Sequence, residues 1–201
     1  MPTLYDLKPA FQGMLRPLAN RLAAAGATAN QVTIGAAVMS VAAALLIAAF
    51  PGNPALWLLI PVVLFLRMAL NAIDGMLARE HGQASTFGMY LNELCDVVSD
   101  LALILAFAAV PLFPAWGVVA FAITAVIAEF AGVLGIPAGI GRNYAGPFGK
   151  SDRAFALGLI AVLVAANLRI EAIAPYIFPA LALLSLLTIV NRVRAGLRPA
   201  A

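Results

Sequence analysis

The chain has 201 residues, of which 64% are hydrophobic and only 10% are charged, with a formal net charge of +3 and a mean hydropathy of +1.00. Soluble domains are close to half apolar, so a water-soluble core of this size is excluded and the bilayer is the expected solvent. The basic residues are too sparse for nucleic-acid binding, and the single cysteine excludes an intrachain disulfide framework. The N-terminal sequence lacks the pattern of a cleaved signal peptide.

The N-terminal segment has apolar residues at helical spacing, namely Leu4, Leu7, Phe11, Leu15, Leu18 and Leu22. Polar residues follow another side, which predicts an amphipathic helix interrupted by Pro9 and Pro17. We expect residues 1–30 to form a juxtamembrane segment whose helix lies in the membrane interface as an anchor. The alternative is a role in admitting lipid to a site.

Six apolar runs follow within residues 31–201, each close to the roughly 20 residues that span a bilayer. They lie at about residues 31–50, 55–79, 87–109, 113–137, 153–168 and 172–193. The predicted fold class is an all-α membrane protein with six transmembrane helices preceded by an interfacial amphipathic helix.

The basic residues predict the orientation of these spans. If the six spans alternate, one side of the membrane carries Lys8, Arg16, Arg21, Arg79, Arg142, Lys150, Arg153, Arg192, Arg194 and Arg198. Arg169 lies on the other side and Arg67 lies within a span. The positive-inside rule therefore places both termini in the cytoplasm, which in a bacterium means the inner or plasma membrane.

Acidic side chains are concentrated between residues 71 and 100, where five of the nine acidic residues lie. Helical periodicity places two stripes on the second and third spans, one formed by Arg67, Asn71, Asp74 and Ala78 and one by Gly88, Asn92, Asp96 and Asp100. Both stripes begin at cytoplasmic helix ends joined by a short loop. Antiparallel packing should therefore bring Asp74 and Asp96 to a similar depth and form a polar pocket with a cytoplasmic mouth.

Carboxylates at membrane depth are costly unless they are paired, hydrated or coordinated. Oxygen ligands at this spacing suit a hard cation such as Mg²⁺ or Mn²⁺, which binds substrate phosphates as well. The alternative is that Asn and Asp side chains hydrogen-bond to one another and hold the helices together.

The pattern NxxDGxxAR, eight residues, then GxxxNxxxD resembles the signature of the CDP-alcohol phosphotransferase family, which has aspartates at all four acidic positions. The matching residues are Asp74, Gly75, Ala78, Arg79, Gly88 and Asp96. ANQVT (29–33) is similar to the Pro-Asn-x-x-Thr segment before the family's first span, and GKSDR (149–153) to its basic loop segment.

This resemblance implies transfer of a phosphatidyl or related group from a CDP-linked lipid to an alcohol, with release of CMP, in a homodimer. In the family four aspartates hold a pair of divalent cations, and the last is the proposed base. Carried over, the metal ligands are Asp74, Asp96, Asn71 and Asn92, and Asp96 is the catalytic base. The nucleotide contacts are Gly75, Ala78, Arg79, Gly88, Asn30 and Thr33.

Two signature aspartates are replaced here by Asn71 and Asn92. An amide oxygen can coordinate Mg²⁺, but the charge at the four positions falls from about −4 to −2. One metal ion, a weakened pair, or no metal and no catalysis are all consistent with the sequence. Glu93, beside Asn92, is a candidate replacement ligand.

Other charged residues lie near the predicted site. Arg67 is expected to pair beneath the metal site with Asp100, or else with Glu129, as structural support. Arg142, Lys150 and Arg153 either bind an acceptor phosphate or only set the membrane orientation.

The leading hypothesis is a metal-dependent transferase of phospholipid biosynthesis. A catalytically silent relative that binds CDP-lipid or a partner enzyme is the first alternative, supported by the two asparagines. An ion or solute transporter is the second, although no internal repeat relates the two halves. The acceptor alcohol and the exact CDP-linked donor stay open.

Overall fold

A computed structural model describes residues 4–197, with side-chain detail from residue 10 onward, so the side chain of Lys8 and all of Arg198 lie outside it. All regular structure within residues 4–197 is helical, which confirms the all-α class. The helices are α1 (Leu4–Ala24), α2 (Ala29–Ala49), α3 (Pro54–Trp57), α4 (Leu59–Glu80), α5 (Thr86–Ala106) followed by a 3₁₀ turn (Phe107–Ala109), α6 (Ala115–Val133), α7 (Lys150–Ala165) and α8 (Ala174–Gly196).

All six predicted spans coincide with helices, but they differ in their suitability for crossing a bilayer. Four segments of the described chain are long and apolar enough, namely Ala29–Ala49, Pro54–Glu80, Ala115–Val133 and Ala174–Gly196. Helix α5 carries three acidic residues, and α7 has only 16 residues, fewer than the roughly 20 that a perpendicular span needs. The structure thus supports four spans by length and composition, and six remains a prediction.

The chain divides into two compact units. The first contains the described residues up to 42 together with 62–99, and the second contains residues 43–61 and those from 100 onward. Helix α1, most of α2, and the facing parts of α4 and α5 therefore belong to the first unit.

Helix α1 is continuous across Pro9 and Pro17, so the predicted interruption is wrong. Each proline removes one backbone hydrogen bond but keeps a helical φ, and tertiary packing holds the helix together. That packing is a core formed by Ala19, Ala29, Ile73, Met76 and Leu77, against which Leu15 and Leu22 also lie. One side of α1 therefore covers α4, while Met14 and Leu18 are exposed and available to lipid.

Local capping determines where the helices of the first unit begin. The Oγ1 atom of Thr28 accepts a hydrogen bond from the Gln31 backbone at 3.2 Å, and the Gln31 side chain accepts one from the Thr28 backbone at 2.9 Å. This reciprocal pair is a capping box, which explains why α2 begins at Ala29, two residues before the predicted position.

The core of the second unit is aromatic, with ring contacts among Trp57, Phe107, Phe113, Phe121 and Phe178. Helix α6 packs closely against α8. A Cβ on Gly117 would lie 2.9 Å from the ring of Pro179, so this helix pair depends on the absence of a side chain there.

Candidate active site

A cavity of about 210 Å³ opens between α2, α4, α5 and the α4–α5 loop, all in the first unit. It is lined by Ala29, Asn30, Thr33, Asp74, Gly75, Ala78, Arg79, Gln83, Ala84, Ser85, Gly88, Met89 and Asn92. All six predicted nucleotide contacts and two of the four predicted metal ligands are in this lining. The sequence pattern of α2, α4 and α5 therefore converges on one cavity.

Asp74 is the carboxylate that faces the cavity, and it is buried. The Oγ1 of Thr33 lies 2.8 Å from Asp74 Oδ2 and 3.0 Å from the backbone oxygen of Ala29. A hydroxyl has one proton, and the charged carboxylate is the stronger acceptor, so Thr33 donates to Asp74. This bond fixes the Asp74 carboxylate across the α2–α4 contact.

The two signature glycines keep the cavity open. A Cβ on Gly88 would lie 3.0 Å from Asn30 Oδ1 and 3.1 Å from Ser85 Oγ, so a side chain there would press on the cavity wall. A Cβ on Gly75 would lie 2.9 Å from Nη2 of Arg79, because this guanidinium folds back over the glycine. The Arg79 guanidinium therefore borders the cavity at Gly75, where the α4 backbone carries no side chain.

Asp96 lies on α5 and is held from α4. Asn71 donates from Nδ2 to Asp96 Oδ1 at 3.1 Å, and Arg67 donates from Nη2 to the same oxygen at 3.1 Å. Arg67 is buried, and the Asp96 side chain is about one-fifth exposed. The predicted stripes on α4 and α5 therefore contact each other. The two donors, Arg67 and Asn71, lie one turn apart on α4.

Asp96 is a partner of Arg67 that the sequence did not suggest, and the expected pairing of Arg67 with Asp100 or Glu129 stays a prediction. Helical rise predicts the depth of a Cα atom. The arginine side chain is long and flexible, however, so its guanidinium can reach carboxylates on neighbouring turns. Asp100 and Glu93 are both half-buried on α5.

The α4–α5 loop is fastened to α1 and to the start of α2. Gln83 accepts from the Ala29 backbone at 2.7 Å and donates to the Ala27 oxygen at 3.2 Å. Arg16 binds Glu80 through two hydrogen bonds of 3.0 and 3.1 Å, and the contact raises the pKa of Arg16 above its ordinary value. The Gln83 contacts set the position of the loop that borders the cavity, whereas the Arg16–Glu80 pair is exposed at the surface.

In the second unit Glu129 is surrounded by arginines. Its Oε1 accepts from Arg153 at 2.5 Å and from Arg192 at 3.5 Å, and its Oε2 accepts from Arg142 at 3.1 Å. Arg153 and Arg192 are buried, whereas the Arg142 side chain is one-quarter exposed. The cluster keeps a net charge of about +2, since one carboxylate meets three guanidinium groups. Lys150, the other predicted acceptor ligand, is the first residue of α7.

Residues 27–190 match the family model described as CDP-alcohol phosphatidyltransferase. The chain belongs to this family. Inner membrane protein YnbA of Escherichia coli (strain K12) is 47% identical over 163 residues, which cover 81% of each chain. The phosphatidylinositol phosphate synthase of Mycobacterium marinum is 37% identical over 97 residues, covering 46% of this chain and 38% of that protein.

Solved structures of the family share the fold. The Mycobacterium tuberculosis phosphatidylinositol phosphate synthase with CDP-DAG bound has a TM-score of 0.71 at 23% identity, over 92% of this chain and 97% of that one. The same enzyme in complex with manganese and citrate gives a TM-score of 0.72 at 23% identity, over 92% of each chain. With its four candidate spans and its inner-membrane relative, the chain is a multi-pass membrane protein.

The donor atoms present fit a divalent cation, although they depart from the family signature. Among the side chains described, those of residues 10–197, no group of three or more histidine, cysteine, aspartate or glutamate residues is placed to hold a metal ion. Asp74 and Asn92 nevertheless line the cavity with a carboxylate and an amide, and oxygen donors of this kind suit Mg²⁺ or Mn²⁺. Asn71 directs its amide nitrogen to Asp96, so its amide oxygen is the atom left for a metal ion, and its role as a ligand stays a prediction.

Sequence reasoning missed three residues of these sites. Gln83 and Ser85 lie in a loop without periodicity, so nothing marked them as cavity residues. Arg192 was assigned only to membrane orientation, because its contact with Glu129 joins residues far apart in the chain.

Proposed function

We propose that this chain transfers a phosphatidyl group from a CDP-linked lipid to an alcohol and releases CMP, as a step of phospholipid synthesis. The observation that carries the proposal is that the signature residues Asp74, Gly75, Arg79 and Gly88 line one cavity. Membership of the family and similarity to phosphatidylinositol phosphate synthases support it.

The cavity residues have separable tasks in binding the donor. Gly75 and Gly88 leave room for the planar base of the nucleotide to approach the backbone. A Cβ at either position would contact neighbouring side chains. Arg79 supplies a positive charge beside that space for a phosphate of the donor. A divalent cation held by Asp74 and Asn92 would neutralise the diphosphate and stabilise charge developing on the leaving CMP.

Asp96 is assigned as the base of the transfer. The acceptor hydroxyl oxygen attacks the phosphorus that carries the lipid, and its proton passes to Asp96. The bond between that phosphorus and the bridging oxygen breaks, and CMP leaves with the electron pair. Arg67 and Asn71 hold the Asp96 carboxylate at one oxygen, which fixes its orientation for this role.

The arginine cluster of the second unit supports an acceptor that itself carries a phosphate. Arg142 is the partly exposed arginine of this cluster, and arginine is well suited to phosphate oxygens. The family relatives named phosphatidylinositol phosphate synthases point to the same acceptor class. A panel of acceptors with and without phosphate tests this, and equal rates for both would contradict it.

The membrane arrangement belongs to the proposal as well. We infer that α5 and α7 also cross the bilayer, that both termini and the cavity mouth face the cytoplasm, and that the protein is a homodimer like those of the family. Reporter fusions at the C-terminus and chemical cross-linking in native membranes test orientation and dimerisation.

The decisive experiment measures CMP release from CDP-diacylglycerol in detergent micelles with Mg²⁺. We expect release by the natural protein and none by Asp96→Asn. Glu80→Gln is the matched control, since it removes a carboxylate that pairs with Arg16 at the surface. The absence of CMP release with every acceptor would overturn the proposal.

A specific observation favours a second candidate, a silent member that binds CDP-lipid without transferring it. Asp96 Oδ1 is already occupied by two donors, and two signature positions carry amides. If the natural protein binds CDP-diacylglycerol without releasing CMP, whereas Asn71→Asp combined with Asn92→Asp releases it, the second candidate is correct.

A further inference from the structure

Arg67 is an uncommon residue for its place. It is buried in α4, within a segment long and apolar enough to cross a membrane. A charge at that depth is costly unless it is paired, and its guanidinium lies 3.1 Å from Asp96 Oδ1 and 3.4 Å from the Asp96 backbone oxygen. Arg67 therefore holds both the side chain and the main chain of the assigned base.

Asn71 complements this arrangement in a way that aspartate cannot. An ionised carboxylate only accepts hydrogen bonds, so the contact of Asn71 with Asp96 at 3.1 Å requires the amide nitrogen. An aspartate at position 71 would place a second negative charge against Asp96. The asparagine and the arginine thus form one set that satisfies Asp96 from within the protein.

The partners of Asp96 then favour a single metal ion. Only two of the four signature positions carry carboxylates, Asp74 and Asp96, and the Arg67 guanidinium already contacts the second. A cation bound at Asp96 would lie close to that guanidinium, and like charges repel, so Asp74 and Asn92 remain as the position for one cation.

We propose that this chain holds one divalent cation, at Asp74 and Asn92, and that Arg67 takes the place of the second cation at Asp96. Arg67 is then a positioning residue that acts through Asp96 and sets the metal stoichiometry. This inference rests on the proposed donor site, because the cation is the one that neutralises the donor diphosphate.

The test counts bound ions directly and does not depend on turnover. Purified protein is titrated with Mn²⁺, and free Mn²⁺ is followed by electron paramagnetic resonance, with and without CDP-diacylglycerol. We expect one ion per chain for the natural protein. Asn71→Asp alone should still hold one, because Arg67 still contacts Asp96, and Asn71→Asp with Arg67→Gln should hold two.

Two further variants separate positioning from folding. Arg67→Lys keeps the charge and should keep one ion, and Arg16→Gln removes an exposed arginine of the same unit and should also keep one. Two ions in the natural protein, two in Asn71→Asp alone, or none at all would overturn the inference. If the double variant fails to fold, the counts for the natural protein and Asn71→Asp decide.

The outcome is distinguishable from failure of the proposed function. One bound Mn²⁺ without CMP release would support the role of Arg67 and contradict the transferase. CMP release with two bound ions would support the transferase and contradict the role of Arg67.

Discussion

Replacing Thr33 by valine removes the hydroxyl that fixes Asp74 while keeping the shape of the side chain. Both residues are buried, and the Thr33 Oγ1 to Asp74 Oδ2 distance is 2.8 Å. A hydrogen bond to a charged group contributes about 1.5–3 kcal/mol, and its loss should lower the melting temperature of a protein of this size by about 3–12 °C. Thermal unfolding in detergent, followed by size-exclusion fluorescence, measures the change.

Two controls make this prediction specific. Thr33→Ser keeps the hydroxyl and should melt close to the natural protein. Ser40→Ala removes a buried hydroxyl that bonds only within its own helix, to Ala36 at 2.7 Å, and should cost less. Mg²⁺ should reduce the deficit of the valine variant, because a cation at Asp74 replaces the lost donor. The reasoning is refuted if the valine and serine variants melt alike.

Three other predictions follow from side-chain contacts. Gly88→Ala should weaken CDP-diacylglycerol binding, since its Cβ would lie 3.0 Å from the side-chain oxygen of Asn30. Gly35→Ala is the control and should bind normally, because a Cβ there would have nothing within 4 Å. Equal affinities of the two variants in a filter-binding assay would disprove this. Glu129→Gln removes the carboxylate that three guanidinium groups share. Breaking a buried ion pair costs about 3–5 kcal/mol, which should lower the melting temperature by at least about 6 °C. An unchanged melting temperature would contradict a stabilising role of the cluster. Glu80→Gln should change the melting temperature little, because its pair with Arg16 is exposed. High salt should abolish any difference in melting temperature between this variant and the natural protein. A large loss that does not depend on salt would contradict this.

Much of this protein could be predicted from its sequence because the bilayer imposes simple rules. Apolar runs of spanning length had to become helices, and their six positions agree with α2 and α4–α8 to within a few residues. Helical periodicity placed Asn71, Asp74, Asn92 and Asp96 on facing stripes, and the spacing of Asp74, Gly75, Ala78, Arg79 and Gly88 identified the family.

Partners and loop contacts required the tertiary structure. Periodicity specifies which face of a helix a residue occupies, but not which group it meets across the interface. Interhelical spacing and the reach of flexible side chains decide which ion pairs form. They bring Arg67 to Asp96, and they bring Arg153 and Arg192 to Glu129. Gln83 acquires its role only because chain folding brings it to the backbone of residues 27 and 29. The sequence determined the helices and the chemistry available on each, and three-dimensional packing decided which of those charges neutralise one another.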